Sequence, residues 1–109
     1  MSLYADYIKE REDFNTYEDS DSFFTYKKVS DALFIRDIYI RPEARSKGKS
    51  LELGLLGESI AREMNLNAVL GCVDMDTKGW ERSKRILEEF GYRKIYKDGT
   101  MIYFNKDLD

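Results

Sequence analysis

Residues 32–40, ALFIRDIYI, constrain the fold more than any other stretch. The run is apolar at both parities, with Leu33 and Ile35 on one and Phe34, Ile38 and Ile40 on the other. A strand that presents apolar side chains to both faces belongs in the middle of a covered sheet. Pro42, the only proline, ends it, because proline cannot donate to the ladder. A polar, basic segment follows over residues 42–49. Leu51, Leu55, Leu56, Ile60, Ala61 and Met64 then recur at helical spacing, which predicts an amphipathic helix over residues 50–65. Residues 68–74 read as a second buried strand, so the three elements form a β-α-β crossover.

The rest of the chain arranges itself around that unit. Residues 3–13 read as a short helix with Leu3, Tyr7 and Ile8 on one side, and residues 15–22 as polar turn. Residues 23–29 are aromatic and β-branched enough for a strand that turns at Ser30-Asp31 into the central one. Trp80, Ser83, Ile86, Leu87 and Phe90 mark another helix, stopped by Gly91. Residues 92–97 and 100–105 flank Asp98-Gly99, a type I′ hairpin signal. The expected order is α-β-β-α-β-α-β-β, a mixed α/β sheet with helices on its faces. At 109 residues the expectation is one domain, 1–109.

Composition removes several function classes. The chain has no histidine and one cysteine, Cys72, which excludes the usual zinc sites, histidine-based nucleophile activation and an internal disulfide. No metal is expected. The net charge of −3 disfavours a nucleic-acid partner, which would meet a broad basic face. No apolar run approaches the roughly 20 residues of a membrane helix. The N-terminus lacks a basic region leading into an apolar one, so a cytoplasmic setting is expected.

The basic segment carries the chemistry. The first amides of a helix have no intrahelical acceptor, and with the helix dipole they bind anions. Gly48 lets the backbone approach a ligand closely, and Arg41, Arg45, Lys47 and Lys49 surround it with positive charge. These features point to a phosphate or pyrophosphate without saying whose. Gly48-Lys49-Ser50 also mimics the end of a Walker A loop, but Glu43 stands where that pattern needs glycine.

Arg45-Ser46-Lys47-Gly48-Lys49-Ser50 resembles the acetyl-CoA motif of the GNAT N-acetyltransferase superfamily, Q/R-x-x-G-x-G/A. Asp37-Ile38-Tyr39-Ile40-Arg41-Pro42-Glu43 resembles its lead-in, E-L-x-V-x-P-E, and residues 83–92 resemble the second signature, N-x-x-A/S-x-x-x-Y-x-x-x-G-F. The likeness runs from about Phe23 to the C-terminus and is nearest to compact bacterial and phage members with a shortened N-terminal region. It implies an acyl-CoA N-acyltransferase fold with acetyl-CoA as cofactor. It also implies direct attack by a primary amine, either a small molecule or a protein lysine or N-terminus. By the same resemblance Ile38, Tyr39 and Ile40 line the pantetheine arm, in a gap where their strand splays from the next. Arg45, Ser46, Lys47, Gly48, Lys49, Ser50 and Leu51 hold the diphosphate. Asp37 matches the position of a glutamate base, and Ser83, which also touches the cofactor, lies one turn from the usual acid.

Three positions depart from the pattern: Ser50 for the last glycine or alanine, Leu87 for the tyrosine acid, and Trp80 for the asparagine. Leu87 leaves an alternative, a non-catalytic acyl-CoA-binding or protein-interaction module. Cys72 reads as a small buried hydrophobe. Tyr4, Tyr7, Tyr17 and Tyr26 read first as packing and second as a substrate or partner surface. Glu18, Asp19 and Asp21 form an acidic patch that would attract a cationic amine. The C-terminal hairpin could join two copies in a homodimer.

Overall fold

A computed structural model describes residues 2–109. Helix α1 (Leu3–Glu12) leads into strands β1 (Asn15–Glu18), β2 (Ser22–Val29) and β3 (Ala32–Ile40). A single 3-10 turn (Pro42–Ala44) precedes helix α2 (Lys49–Glu63), strand β4 (Ala68–Asp74) and helix α3 (Trp80–Glu89), and β5 (Arg93–Asp98) and β6 (Met101–Asp107) close the chain. The six strands form one sheet in the order β1-β2-β3-β4-β6-β5. β3 and β4 run parallel and the other neighbours antiparallel. β3 lies at the centre, as its two-sided apolar pattern requires.

One face of the sheet carries the core. Phe24, Leu33, Ile35, Val69, Val73, Ile102 and Phe104 are buried there against Leu53 and Ala61 of α2. Gly71 and Gly57 let the helices come close: a Cβ on Gly71 would meet Leu87 of α3 at 3.7 Å, and one on Gly57 would meet Ile35 at 2.7 Å. The opposite, outer face carries a chain of rings. Phe14 lies 6.1 Å from Phe34, and Phe34 lies 6.4 Å from Tyr103.

Four sequence expectations need correction. Residues 15–18 are not turn: they form β1, pairing residue for residue with β2 from Asn15↔Tyr26 to Glu18↔Phe23. A four-residue polar edge strand has too little pattern to show in sequence. The buried face of α2 is Leu53, Gly57, Glu58 and Ala61, whereas Leu51 and Leu55 are about half exposed. A glycine and a paired glutamate occupy part of that face, so of the expected apolar positions Leu56, Ile60 and Ala61 pack on the core while Leu51, Leu55 and Met64 turn outward. In α1 the buried residues are Ala5 and Ile8, while Leu3 and Tyr7 are exposed. The closing hairpin turns at Gly99-Thr100, flanked by the pair Asp98↔Met101, one residue later than expected. Only Gly99 has positive φ there (58°), the requirement of a II′ turn rather than I′.

Candidate active site

The site begins where two neighbouring strands part. β3 and β4 pair only over Ala32↔Ala68, Leu33↔Val69 and Phe34↔Leu70. Beyond Phe34 the ladder stops, yet β2 still pairs β3 up to Ile40 and β6 still pairs β4 up to Asp74. A wedge-shaped gap therefore opens between residues 35–40 and 71–74. The Cys72 thiol reaches the Arg36 carbonyl at 3.7 Å across its narrow end.

Strand alternation settles which backbone groups face the gap. The Arg41 N–H donates to the Asp21 carbonyl at 2.7 Å, on the β2 side. Tyr39, two residues earlier, points the same way, so Ile38 and Ile40 turn their N–H and C=O groups toward β4. The Ile40 carbonyl accepts from Arg45 Nε at 2.9 Å, which agrees with that assignment. Ile38 is 55% exposed, unusual for isoleucine on a central strand, because the gap uncovers it.

The gap leads to the N-terminus of α2. Gly48 is its N-cap at φ 80°, with no side-chain cap, and Ser46 also has positive φ, 63°. Helix α1 differs, since Ser2 Oγ accepts from the Ala5 N–H at 3.0 Å. Among the described residues nothing accepts from the N–H groups of Lys49, Ser50 or Leu51. A Cβ on Gly48 would meet nothing within 4 Å, so the space beside the loop is open. Unpaired amides, left-handed dihedrals and free space together fit an anion such as a diphosphate.

The loop cations are not equivalent. Lys49, expected to face the anion, has its ammonium 2.8 Å from Asp19 and 2.6 Å from Glu52. Those two carboxylates hold its pKa above the ordinary lysine value. Asp19 is held well below the usual carboxylate range, first by Lys49 and then, against some desolvation, by bonds from the Asp21 amide and the Tyr17 and Ser22 hydroxyls. Arg41 meets Asp21 at 3.8 Å and the Ser20 carbonyl at 3.1 Å. Arg45 is tied to Ile40 and lies 5.8 Å over the Tyr39 ring. Lys47 is exposed and has no ion-pair partner among the described residues. The acidic turn, expected to draw substrate, thus braces the basic loop. Tyr17 joins that brace, packing on Phe24 and donating to Asp19 at 3.0 Å. Sequence showed both charge runs, but their partnership spans 30 residues and needs β1 and β2 to bring it together.

Asp37 owes its position to a β-bulge. The register steps from Phe24↔Ile38 to Tyr26↔Ile35, so Arg36 and Asp37 together face the single residue Thr25. A bulge re-aims side chains, and here both residues turn to the outer face. Asp37 Oδ2 accepts from Thr25 Oγ1 at 2.9 Å and Arg36 Nε at 3.0 Å, leaving Oδ1 without a partner among the described residues. Ser83 is exposed in the first turn of α3. Leu87, one turn on, packs over Gly71 and supplies no hydroxyl. Burial pushes the Cys72 thiol up to about 11, so it stays protonated and unreactive.

The overall fold recurs in solved structures. PaiA N-acetyltransferase from Thermoplasma acidophilum, in complex with coenzyme A, superposes with a TM-score of 0.74 at 16% identity. That match covers 93% of this chain and 66% of the other. A GNAT-family acetyltransferase from Listeria monocytogenes gives 0.66 at 14% identity, covering 81% and 58%. This chain has the GNAT fold. A Bacillus subtilis acetyltransferase in complex with CoA matches at 0.71 and 13% identity, covering 94% and 83%. The chain spans 66% of the length of the first of these structures and 58% of the second. No family model matches the sequence, and no curated protein matches it significantly. No helix among the described residues is long and apolar enough to cross a membrane.

Proposed function

We propose that the chain is an acyltransferase that binds acetyl-CoA and acetylates a primary amine. The observation that carries this reading is the continuity of the β3–β4 gap with the uncapped N-terminus of α2. One feature suits an extended, amide-bearing arm and the other a diphosphate, and coenzyme A joins the two. Two structural relatives were determined with coenzyme A, which supports the same choice.

In this reading the amides of Lys49, Ser50 and Leu51 hold the diphosphate, with Arg45, Ser46, Lys47 and Gly48 shaping the loop. Lys49 acts from behind, fixing the first turn of α2 against Asp19. The gap-facing groups of Ile38 and Ile40 orient the arm, and an N–H there can meet the thioester oxygen. Such a donor is worth roughly 3–4 kcal/mol where negative charge develops. Bound acetyl-CoA supplies a thioester: an amide bond forms from the amine nitrogen to its carbonyl carbon, the C–S bond breaks, and the sulfur leaves as a thiolate. Asp37, with Oδ1 free, takes the proton the nitrogen loses, directly or through one water. Ser83 contributes a hydrogen bond at the entrance of α3.

A second reading is favoured by Leu87, which packs on β4 where an acid would stand. It makes the chain a module that holds acyl-CoA without transferring the acyl group. Calorimetry with coenzyme A and a thiol-release assay over a panel of amines separate the two. Binding with turnover supports the enzyme, binding without turnover on any amine supports the module, and no binding overturns both.

A further inference from the structure

The outer face of the sheet carries an open groove of about 570 Å³ that neither the cofactor cleft nor the core uses. Its floor is Phe34 and Leu70, which pair side by side across β3 and β4, together with Tyr103. Phe14 forms one wall. The volume suits a small molecule, and the lining is mostly rings and aliphatic carbon. Its two cations are already engaged. Arg36 stacks 4.0 Å over Phe14 and binds Glu12 at 2.6 Å and Asp37 at 3.0 Å. Lys27 lies 4.9 Å from the same ring.

The groove runs toward the gap. Arg36 lines it, and the Arg36 carbonyl meets Cys72 at the gap's narrow end. Leu70 faces the groove, so by alternation Cys72 and Asp74 face the same side on β4. On β3 the bulge brings Asp37 to that side as well. An apolar bed thus ends between two carboxylates, one on each strand of the gap. From the core side the same gap opens toward α2, where the thioester would arrive.

We propose that the acceptor is a primary amine carried on a flat apolar body, which lies against Phe34, Leu70 and Tyr103 and presents its ammonium to Asp37 and Asp74. This rests on the acetyl-CoA reading above. The body gains by leaving water, and the ammonium gains from two carboxylates beside the gap. The ammonium gives up one proton to Asp37 or water to become the attacking amine. The amide bond forms as the C–S bond breaks, and the nitrogen's second proton passes to the departing thiolate, so the coenzyme ends as its thiol. Two other amine classes fit badly. A polyamine would set its second charge beside Arg36 and Lys27, where the one carboxylate of the lining, Glu12, is already bound to Arg36. An amino acid would place its own carboxylate between Asp37 and Asp74.

The test compares 2-phenylethylamine with spermidine and phenylalanine as acceptors for the full chain. Calorimetric titration of 2-phenylethylamine into the protein without acetyl-CoA supplies a second readout. The expected result is a kcat/KM for 2-phenylethylamine at least tenfold above both others. Tyr103→Ala should weaken its binding about fivefold and leave coenzyme A affinity unchanged. If that variant does not fold, Phe34→Leu gives the same reading through a smaller change. Failure of coenzyme A to bind would overturn the cofactor reading and this inference together. Coenzyme A binding with no 2-phenylethylamine binding, or equal turnover of spermidine or phenylalanine, overturns the groove assignment alone.

Discussion

The two halves of β3 divide stability from chemistry. Over residues 32–34 the strand is paired on both sides, and Leu33 is fully buried. Over residues 35–40 it is paired only with β2, and Ile38 and Tyr39 are about half exposed. One strand thus closes the core at its start and opens a gap at its end. Ile35 and Ile40 still pack on the core, and the exposed apolar side chains of Ile38 and Tyr39 fit the ligand proposed for the gap.

The comparison breaks most easily at the pair Leu33 and Ile38. Leu33→Ala should cost about 2–5 kcal/mol, since a buried leucine loses both transfer energy and packing. Ile38→Ala should stay within about 0.5 kcal/mol, as for most exposed sites, and instead weaken coenzyme A binding. Chemical denaturation of both variants, with calorimetry on the second, checks this. Equal destabilisation would mean that β3 is closed along its whole length.

Most of the frame was legible because it is written in short-range pattern. The bounds of β3 and β4 follow from continuous apolar runs, and those of α3 from a periodic stretch that begins at Trp80 and is stopped by Gly91. The loop was legible because glycine and clustered cations are rare together. The unreadable parts depend on pairs distant in sequence. The splay is a property of two strands and leaves no mark in either alone, so only the family resemblance led to its expectation. The bulge at Arg36 and Asp37 appears only against Thr25, and the Asp19–Lys49 bridge only once β1 exists. The exposed side of α2 misled because Leu51 and Leu55 are apolar yet face outward.

The open half of the comparison sharpens at its far end. Gly48→Glu places a carboxylate beside the unpaired amides and a side chain on a residue at φ 80°. The backbone strain costs about 1–3 kcal/mol, but the added Cβ meets no atom, so the fold should survive. Coenzyme A affinity should fall at least about 100-fold, or roughly 2.7 kcal/mol. Circular dichroism and calorimetry on the same sample read both. Asp37→Asn keeps the bonds from Thr25 and Arg36 in reach but removes the proton acceptor. With acceptor amine saturating, kcat should drop about 10²-fold, the acidic limb of the pH–rate profile should flatten, and coenzyme A affinity should hold. An unchanged profile would take Asp37 out of the mechanism.

The smallest effect lies between the halves, in the brace that joins the acidic turn to α2. Asp19 has a depressed pKa in the folded chain, so its stabilisation is present above the unfolded carboxylate value of about 3.9. It is lost as pH falls through the depressed folded value. Lys49 has a raised pKa, so its share is full below the unfolded lysine value of about 10.4 and lost as pH rises through the folded one. Asp19→Asn leaves an oxygen for the Asp21 and Ser22 amides and removes the charge together with the oxygen that accepts from Lys49 and Tyr17. The variant should melt a few degrees below the parent across the neutral range, with the difference shrinking in strong acid, where the parent's Asp19 is also uncharged. Because Lys49 begins α2, the variant should also bind coenzyme A more weakly, by less than Gly48→Glu. A Tm difference independent of pH would assign the brace to hydrogen bonds rather than charge, and intact coenzyme A affinity would separate it from the loop.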